Sequence, residues 1–440
     1  MSNALFAAAV LVCLVGCGAP MPGPVDAGVV GCPALSGDPV THVGSITGNE
    51  AWGAGSLHRV TNDLTIAAGG QVTLSPCAQV VIKPGAWLYV YGKLVARGDA
   101  AHPISIKGDG GRFNSISVRS PGSIDLGYVT IENAGATPQS SWGAAILGEG
   151  NWPVTRPIGV DHVTINDAAG YGVALRGFTA FTVGSAELTI TNSGKVSPMY
   201  PYPVRMDLNT TGSLPTGQYT GNQVDEIQLI GEAPKYSVEI DDVIHDRGVP
   251  YRMGGNGAAG ELRVGAVGSV PTLTIEPGVT IRIDPAQGTG RVYVGVSNQS
   301  GQLVAVGTAA KPITFTIASP TPTNGSWIGV DFASPIAAGS RMDHTVIEYA
   351  GGPGGASGYA CLPMSLNRDD AALRLYAEPG AGIFQNSTIR HSLGHAILSA
   401  WVGAQVDLKT GNTFEDIAGC SQAIPKAPPN GTCPAMPMCQ

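Results

Sequence analysis

From Leu57 onward the chain alternates apolar and polar residues in short runs, three to six long, broken by glycine and proline. Leu64-Thr65-Ile66, Gln71 to Leu74 and Val279 to Ile283 place apolar side chains at every second position, the period of a strand with one buried face. Pro84-Gly85, Pro277-Gly278 and Pro379-Gly380 punctuate these runs and suit type II turns, proline fixing φ and glycine supplying the positive φ after it. No stretch carries a 3.6-residue amphipathic period, so helix-paired repeats are excluded.

The same strand text returns at a fixed distance. Leu64-Thr65-Ile66-Ala67-Ala68-Gly69 recurs as Leu273-Thr274-Ile275-Glu276-Pro277-Gly278, an offset of 209 that holds over 44 positions. At that offset Gly92-Lys93-Leu94-Val95-Ala96 becomes Gly301-Gln302-Leu303-Val304-Ala305, and Pro103-Ile104-Ser105-Ile106 becomes Pro312-Ile313-Thr314-Phe315. With small slips, Val129-Thr130-Ile131-Glu132-Asn133-Ala134-Gly135 corresponds to Thr345-Val346-Ile347-Glu348-Tyr349-Ala350-Gly351. The chain therefore reads as two duplicated units in tandem, 41–200 and 201–420.

Within the units a shorter motif recurs at Thr164 to Gly170, Thr189 to Gly194 and Thr388 to Gly394: a β-branched strand, a polar corner, then small residues. Ile165 and Ile190 are 25 residues apart, and the 42 residues from Ile347 to Ile389 read as two steps of 21. Steps of this length describe a solenoid. Three short parallel strands per turn would pair each strand with its equivalent in the next turn and stack inward Val, Ile, Leu and Ala into a narrow core. The expected fold is an all-β, right-handed parallel β-helix of roughly 14 to 18 turns, with Asn or Ser at the corners forming an inward ladder. A β-sandwich array would need Greek-key spacing, which is missing.

Composition agrees. Of 440 residues 62 are glycine and only 13% are charged, while 43% are hydrophobic with just 6% aromatic, as a narrow aliphatic core requires. Twenty-four basic residues against 32 acidic ones leave a net charge of −8, which excludes a sequence-independent nucleic-acid surface.

The N-terminus carries an address. Residues 1–16 contain no charged side chain, and Ala4 to Val15 form an apolar run of signal-peptide length, too short to span a bilayer. The run ends in Leu14-Val15-Gly16-Cys17, which resembles the bacterial lipobox; that resemblance implies cleavage before Cys17, acylation of its thiol and, with Gly18 following, an outer-membrane location. At about 0.8 kcal/mol per buried methylene, several acyl chains would anchor the protein to the membrane. Residues 17–40, rich in Pro, Gly and Ala, read as a tether, and 421–440, rich in Cys and Pro, as a cap over the last turn. Cys32, Cys77, Cys361, Cys420, Cys433 and Cys439 remain as an even set suited to three disulfides, and sequence proximity pairs them in that order, Cys32 with Cys77, Cys361 with Cys420 and Cys433 with Cys439.

The strand text itself has relatives. Leu273 to Ile281, Gly301 to Thr308, Lys311 to Thr316 and Ser326-Trp327-Ile328-Gly329-Val330, together with the segment from Tyr202 through Tyr219 to Gly248-Val249-Pro250-Tyr251, resemble the right-handed parallel β-helix repeat proteins of bacterial cell surfaces. The resemblance spans nearly the whole chain after the signal and implies fold and location, not an activity.

Chemistry is sparse. Asp241-Asp242-Val243-Ile244-His245-Asp246-Arg247 gathers three acids, a histidine and an arginine, and Arg368-Asp369-Asp370 with Arg374 faintly resembles the paired aspartates of polygalacturonases; both are candidates for general acid/base work on polysaccharide. Against catalysis, adjacent aspartates on an extended segment point apart. His162 and His344 sit at equivalent repeat positions and read as structural corners. Gly255-Asn256-Gly257-Ala258-Ala259-Gly260 matches G-x-G-x-x-G but leads into an alternating strand, so no dinucleotide cofactor is expected, and no cysteine and histidine spacing supports a metal. Trp142 and Trp152, in an insertion that lengthens one turn, and Tyr200 and Tyr202 are candidate contacts to an extracellular glycan or surface protein. The expected protein is a non-enzymatic surface rod for adhesion, envelope organisation or glycan binding, with a polysaccharide lyase or glycoside hydrolase as the alternative.

Overall fold

The computed structural model describes residues 31–137, 142–258, 260–285, 290–295, 298–354, 370–401, 404, 406–424 and 438–439. Cys17, Cys361, Asp369 and Cys433 lie outside them, as do the signal and most of the tether. Cys32 to Gln440 forms one compact unit. Among the described residues the regular structure is strand, apart from one turn of 3-10 helix at Thr211–Ser213. The described strands form three sheets, of 24, 5 and 7 strands. The ladders between strands are parallel until the last, where Met438–Cys439 returns antiparallel onto Gln422–Ile424.

The parallel β-helix can be followed along one face. Leu64, Leu88, Ile116, Ile146, Val173, Val204 and Ile227 stand opposite one another in successive turns. The row continues through Tyr251, Ile281, Phe315, Ile347, Ile389 and Phe414. All but the half-buried Phe414 are buried. Burying each such side chain stabilises the fold by about 1.5–3 kcal/mol. Because every inward residue rests on its counterpart about 4.8 Å away, a run of three or four alternating residues is long enough to form a rung. The row passes through residues 200–230 without interruption, so the segment joining the duplicated units is itself coil.

Turn length departs from expectation. Ile347 and Ile389 are direct cross-strand neighbours, so their 42 residues make one turn rather than two steps of 21. That turn passes through Ala371–Leu375 and Phe384–Gln385 before returning to the ladder. The duplicated text is likewise laid on different faces. Val72 and Leu94 pair directly, whereas Ile281 and Leu303, their equivalents at the 209 offset, belong to different sheets. A turn of 30 residues from Leu273 to Leu303 rotates the same strand text relative to the 22-residue turn between Val72 and Leu94.

Two left-handed corners recur. Tyr128, His162 and Glu187 have φ of 52°, 53° and 51°, and Asn133, Asp167 and Asn192 have 56°, 60° and 56°. His344 and Asn386 repeat the first corner at 49° and 48°. This is backbone that Asn, Asp and His tolerate best, so His162 and His344 are structural, as their repetition suggests. The Asn corner is no inward ladder: Asn133 and Asp167 are half-buried and Asn192 is exposed. Gly85 and Gly278 supply the positive φ expected after proline, 79° and 94°, but at Pro379-Gly380 it falls instead on Gly382, at 79°.

Disulfides tie both ends of the coil. Cys32 joins Cys77 as expected, with Cα atoms 5.3 Å apart. Cys420 joins Cys439 rather than Cys361, which also removes Cys439 from the expected pairing with Cys433. The return of Met438–Cys439 along the edge of Gln422–Ile424 brings Cys439 to Cys420, and proximity along the chain could not show that reversal.

Candidate functional site

The linking segment disperses its acids. Asp241 accepts the Thr272 amide at 2.8 Å, toward one neighbouring turn. Asp242 faces the other, accepting Thr211 Oγ1 at 2.9 Å and the Gly212 amide at 2.8 Å, as well as its neighbour Val243. Burial pushes the Asp242 carboxyl up, against the pull of those donors. Asp246 accepts the Gly248 amide and Lys311 Nζ, each at 3.1 Å; burial acts to raise its pKa, but these partners outweigh it and hold the carboxyl below its usual value. His245 bonds Glu276 at 2.8 Å. The cluster is a set of staples between turns, and its carboxylates do not converge. Asp370 accepts the Gly354 amide at 3.0 Å and stands 3.7 Å from buried Arg374, which also pairs with Asp331. His391 bonds Asp416 while His395 accepts the Cys420 amide, so the two histidines flanking Gly394 serve different neighbours.

The candidate aromatics do come together in part. Trp142 lies edge-on to Tyr171, with Tyr200 tilted against both and Tyr202 stacked on Tyr171. The guanidinium groups of Arg176 and Arg205 stand 4.7 and 4.5 Å from the Trp142 ring centroid, a cation–π arrangement. Tyr202 is buried, and burial pushes its phenol up to about 12. Trp152 sits apart, edge-on to Phe178 with Lys235 over its ring. Trp52 and Trp327 are buried packing residues, and Trp87 is half-buried. Asn256, from the glycine-rich turn, donates to the Tyr171 hydroxyl at 3.1 Å, and the strand Glu261–Val264 follows directly; that turn is a brace for the aromatic cluster.

Beside this cluster Asp207 is fully buried. Burial pushes its carboxyl from 3.8 up to about 6, opposed by the backbone and side-chain donors of Asn209 and the Glu232 amide, and aided by the Glu232 charge. The folded-state pKa exceeds the unfolded one, so between about pH 4 and 6 the folded chain keeps a proton that the unfolded chain has released. This contribution favours folding at low pH and is lost as pH rises through the window, a change of about 3 kcal/mol. Urea titrations of Asp207→Asn and the parent should show the variant gaining about 3 kcal/mol relative to the parent from pH 4 to pH 7, on top of any constant offset; a pH-independent difference would refute the assignment.

Charged side chains on the outward rows, which sequence reading passed over, build a cleft. Arg205, Gln228, Arg252, Arg282 and Thr316 occupy consecutive outward positions on the largest sheet. Arg252 bonds Glu226 at 3.4 Å and Asp284 at 3.0 Å, Arg282 bonds Glu226 at 2.6 Å, and Arg390 bonds Glu348 at 2.7 Å. Glu226, Glu348, Arg252 and Arg282 line a cavity of about 500 Å³, with Tyr349 and Pro320 on its wall. In a chain with so few charges, cations at strand positions that should face outward were the available signal. Compared with known proteins, the chain matches no family model, no curated protein and no solved structure.

Proposed function

We propose that this protein is an envelope-anchored recognition rod: a lipid on Cys17 and a tether hold the β-helix, whose outer face binds extracellular glycan without turning it over. The observation that carries the non-enzymatic part is the dispersal of Asp241, Asp242 and Asp246 into bonds with different turns, where hydrolysis would need two carboxylates facing one substrate. The lipid and location rest on Leu14-Val15-Gly16-Cys17 alone. A lyase or glycosidase remains the second reading, favoured by the cavity that Glu226 and Glu348 share with Arg252 and Arg282.

A soluble form, residues 18–440, on a glycan array assayed also for new reducing or unsaturated ends should bind without turnover. Turnover abolished by Glu226→Gln or Glu348→Gln would replace this reading with the enzymatic one. In cells, palmitate labelling of the full chain should be lost in Cys17→Ser.

A further inference from the structure

A second groove crosses the coil on another face. The strands Lys93–Arg97, Ser123–Ala134 and Thr155–Ala168 lie side by side, with Val95 opposite Asp125 and Asp125 opposite Gly159. Leu94, Ile124 and Ile158 point into the core, so Lys93, Ser123 and Pro157 form one outward row and Val95, Asp125 and Gly159 the next. Gly127 and Gly159 carry no side chains here, and those of Arg97 and Asp125 lie against them. A Cβ on Gly127 would come within 2.8 Å of Arg97 Nη1, and one on Gly159 within 3.2 Å of Asp125 Oδ1. Thr182 to Ser185 closes the far side, and the cavity between is about 570 Å³, within the range of small-molecule sites.

Its charges are unequal. Arg97 lies across Gly127 to pair with Asp125 and with Asp161, the latter at 3.7 Å, and Asp161 also bonds His162 at 2.8 Å. One guanidinium thus serves two carboxylates, leaving a single net negative charge that Lys93 and Arg156 outweigh. The Lys93 ammonium has no hydrogen-bond or ion-pair partner among the described residues, and the Arg156 guanidinium donates only to the Phe181 carbonyl there, at 3.3 Å. Two uncompensated cations thus flank one end of a polar groove, about two strand spacings apart, or roughly 10 Å, on a protein of net charge −8.

We propose that this groove binds a carboxylated polysaccharide. Lys93 and Arg156 receive successive carboxylates, the Asp125–Arg97–Asp161 array with Ser123, Thr182 and Ser185 exchanges hydrogen bonds with hydroxyls, and the cavity beside Pro157 and Gly159 takes the sugar ring. The inference rests on the reading of the rod as a glycan binder and names the class of glycan and the face that takes it.

Calorimetric titration of the 18–440 protein with a tetrasaccharide of galacturonic acid should show binding that a glucose tetrasaccharide lacks. Lys93→Glu and Arg156→Glu should each weaken it at least tenfold, and Gly159→Leu, which fills that cavity without changing charge, should abolish it. Lys107→Glu, an exposed lysine outside the groove, should leave affinity within twofold. Equal affinity for the neutral sugar, equal loss in Lys107→Glu, or no binding of the acidic sugar overturns the proposal. Binding on the glycan array that survives all the groove variants removes this site alone, whereas a blank array removes the recognition reading itself.

Discussion

Replacing Arg374 by Met is expected to cost about 3–5 kcal/mol of stability, the largest effect of any single substitution considered, because it strands buried acid rather than because it removes a strong bond. Arg374 sits on the outward side of Ala371–Leu375, where a solenoid side chain normally meets water, yet it is only 2% exposed. Its guanidinium bonds Asp331 at 3.1 Å and the Gly352 carbonyl at 3.3 Å, with Asp370 at 3.7 Å; the Asp331 side chain is 4% exposed. Without the cation, Asp331 keeps only Arg291 as an ion-pair partner among the described residues, 3.8 Å away. The double variant Arg374→Met, Asp331→Leu should recover most of the loss, since two apolar groups of similar size remove the uncompensated charge along with the pair. Denaturant unfolding of the two singles and the double checks this; a double variant as unstable as the sum of the singles would mean that Arg374 and Asp331 contribute independently, and would refute the stranded-charge account.

Opening the Cys32–Cys77 bridge with Cys32→Ser and Cys77→Ala should destabilise the first turns by about 4 kcal/mol, the chain-entropy value for a closure of this length. The bridge spans 45 residues and includes the strands Val40–Ile46, Asn49–Trp52 and Leu57–Ile66. Val40–Ile46 is mostly exposed and is held from one side, by its ladder to Leu57–Ile66 and by His42 stacked on Trp52, so the bridge is a large part of what keeps it in place. In a solenoid each turn is stabilised mainly by its neighbours, and the loss should stay local. Hydrogen exchange should accelerate across residues 40–66 and stay unchanged around Ile281 and Phe315. Uniform acceleration would mean that the coil unfolds as one unit. Peptide mapping without reduction should recover Cys32 linked to Cys77 and Cys420 linked to Cys439.

Much of the architecture was legible because it is local. Alternation over three or four residues, as in Leu64-Thr65-Ile66, fixes which side chains point inward, and the Pro-Gly pairs at 84–85 and 277–278 fix where the chain turns. The repeated His at 162 and 344 told of a structural corner, and the structure shows its backbone to be left-handed, φ being a property of a single residue. The acids of the linking segment were readable as dispersed because neighbouring residues on an extended chain face apart.

What the sequence could not express is which turn lies against which. Ile347 meets Ile389 across 42 residues and Val72 meets Leu94 across 22, because arcs outside the ladder absorb any length while the stacked core holds its spacing. That freedom decided which face each copy of the duplicated text occupies, and it set Glu226 beside Arg282, 56 residues away. It brought Lys93 and Arg156 to one groove and sent Cys420 to Cys439. By itself the sequence determined that the chain would form short strands, where they would bend and which residues would fill the core, all consequences of backbone geometry and nearest neighbours. Tertiary structure alone decided the company of each outward side chain, because contacts between turns depend on the accumulated length of every arc before them.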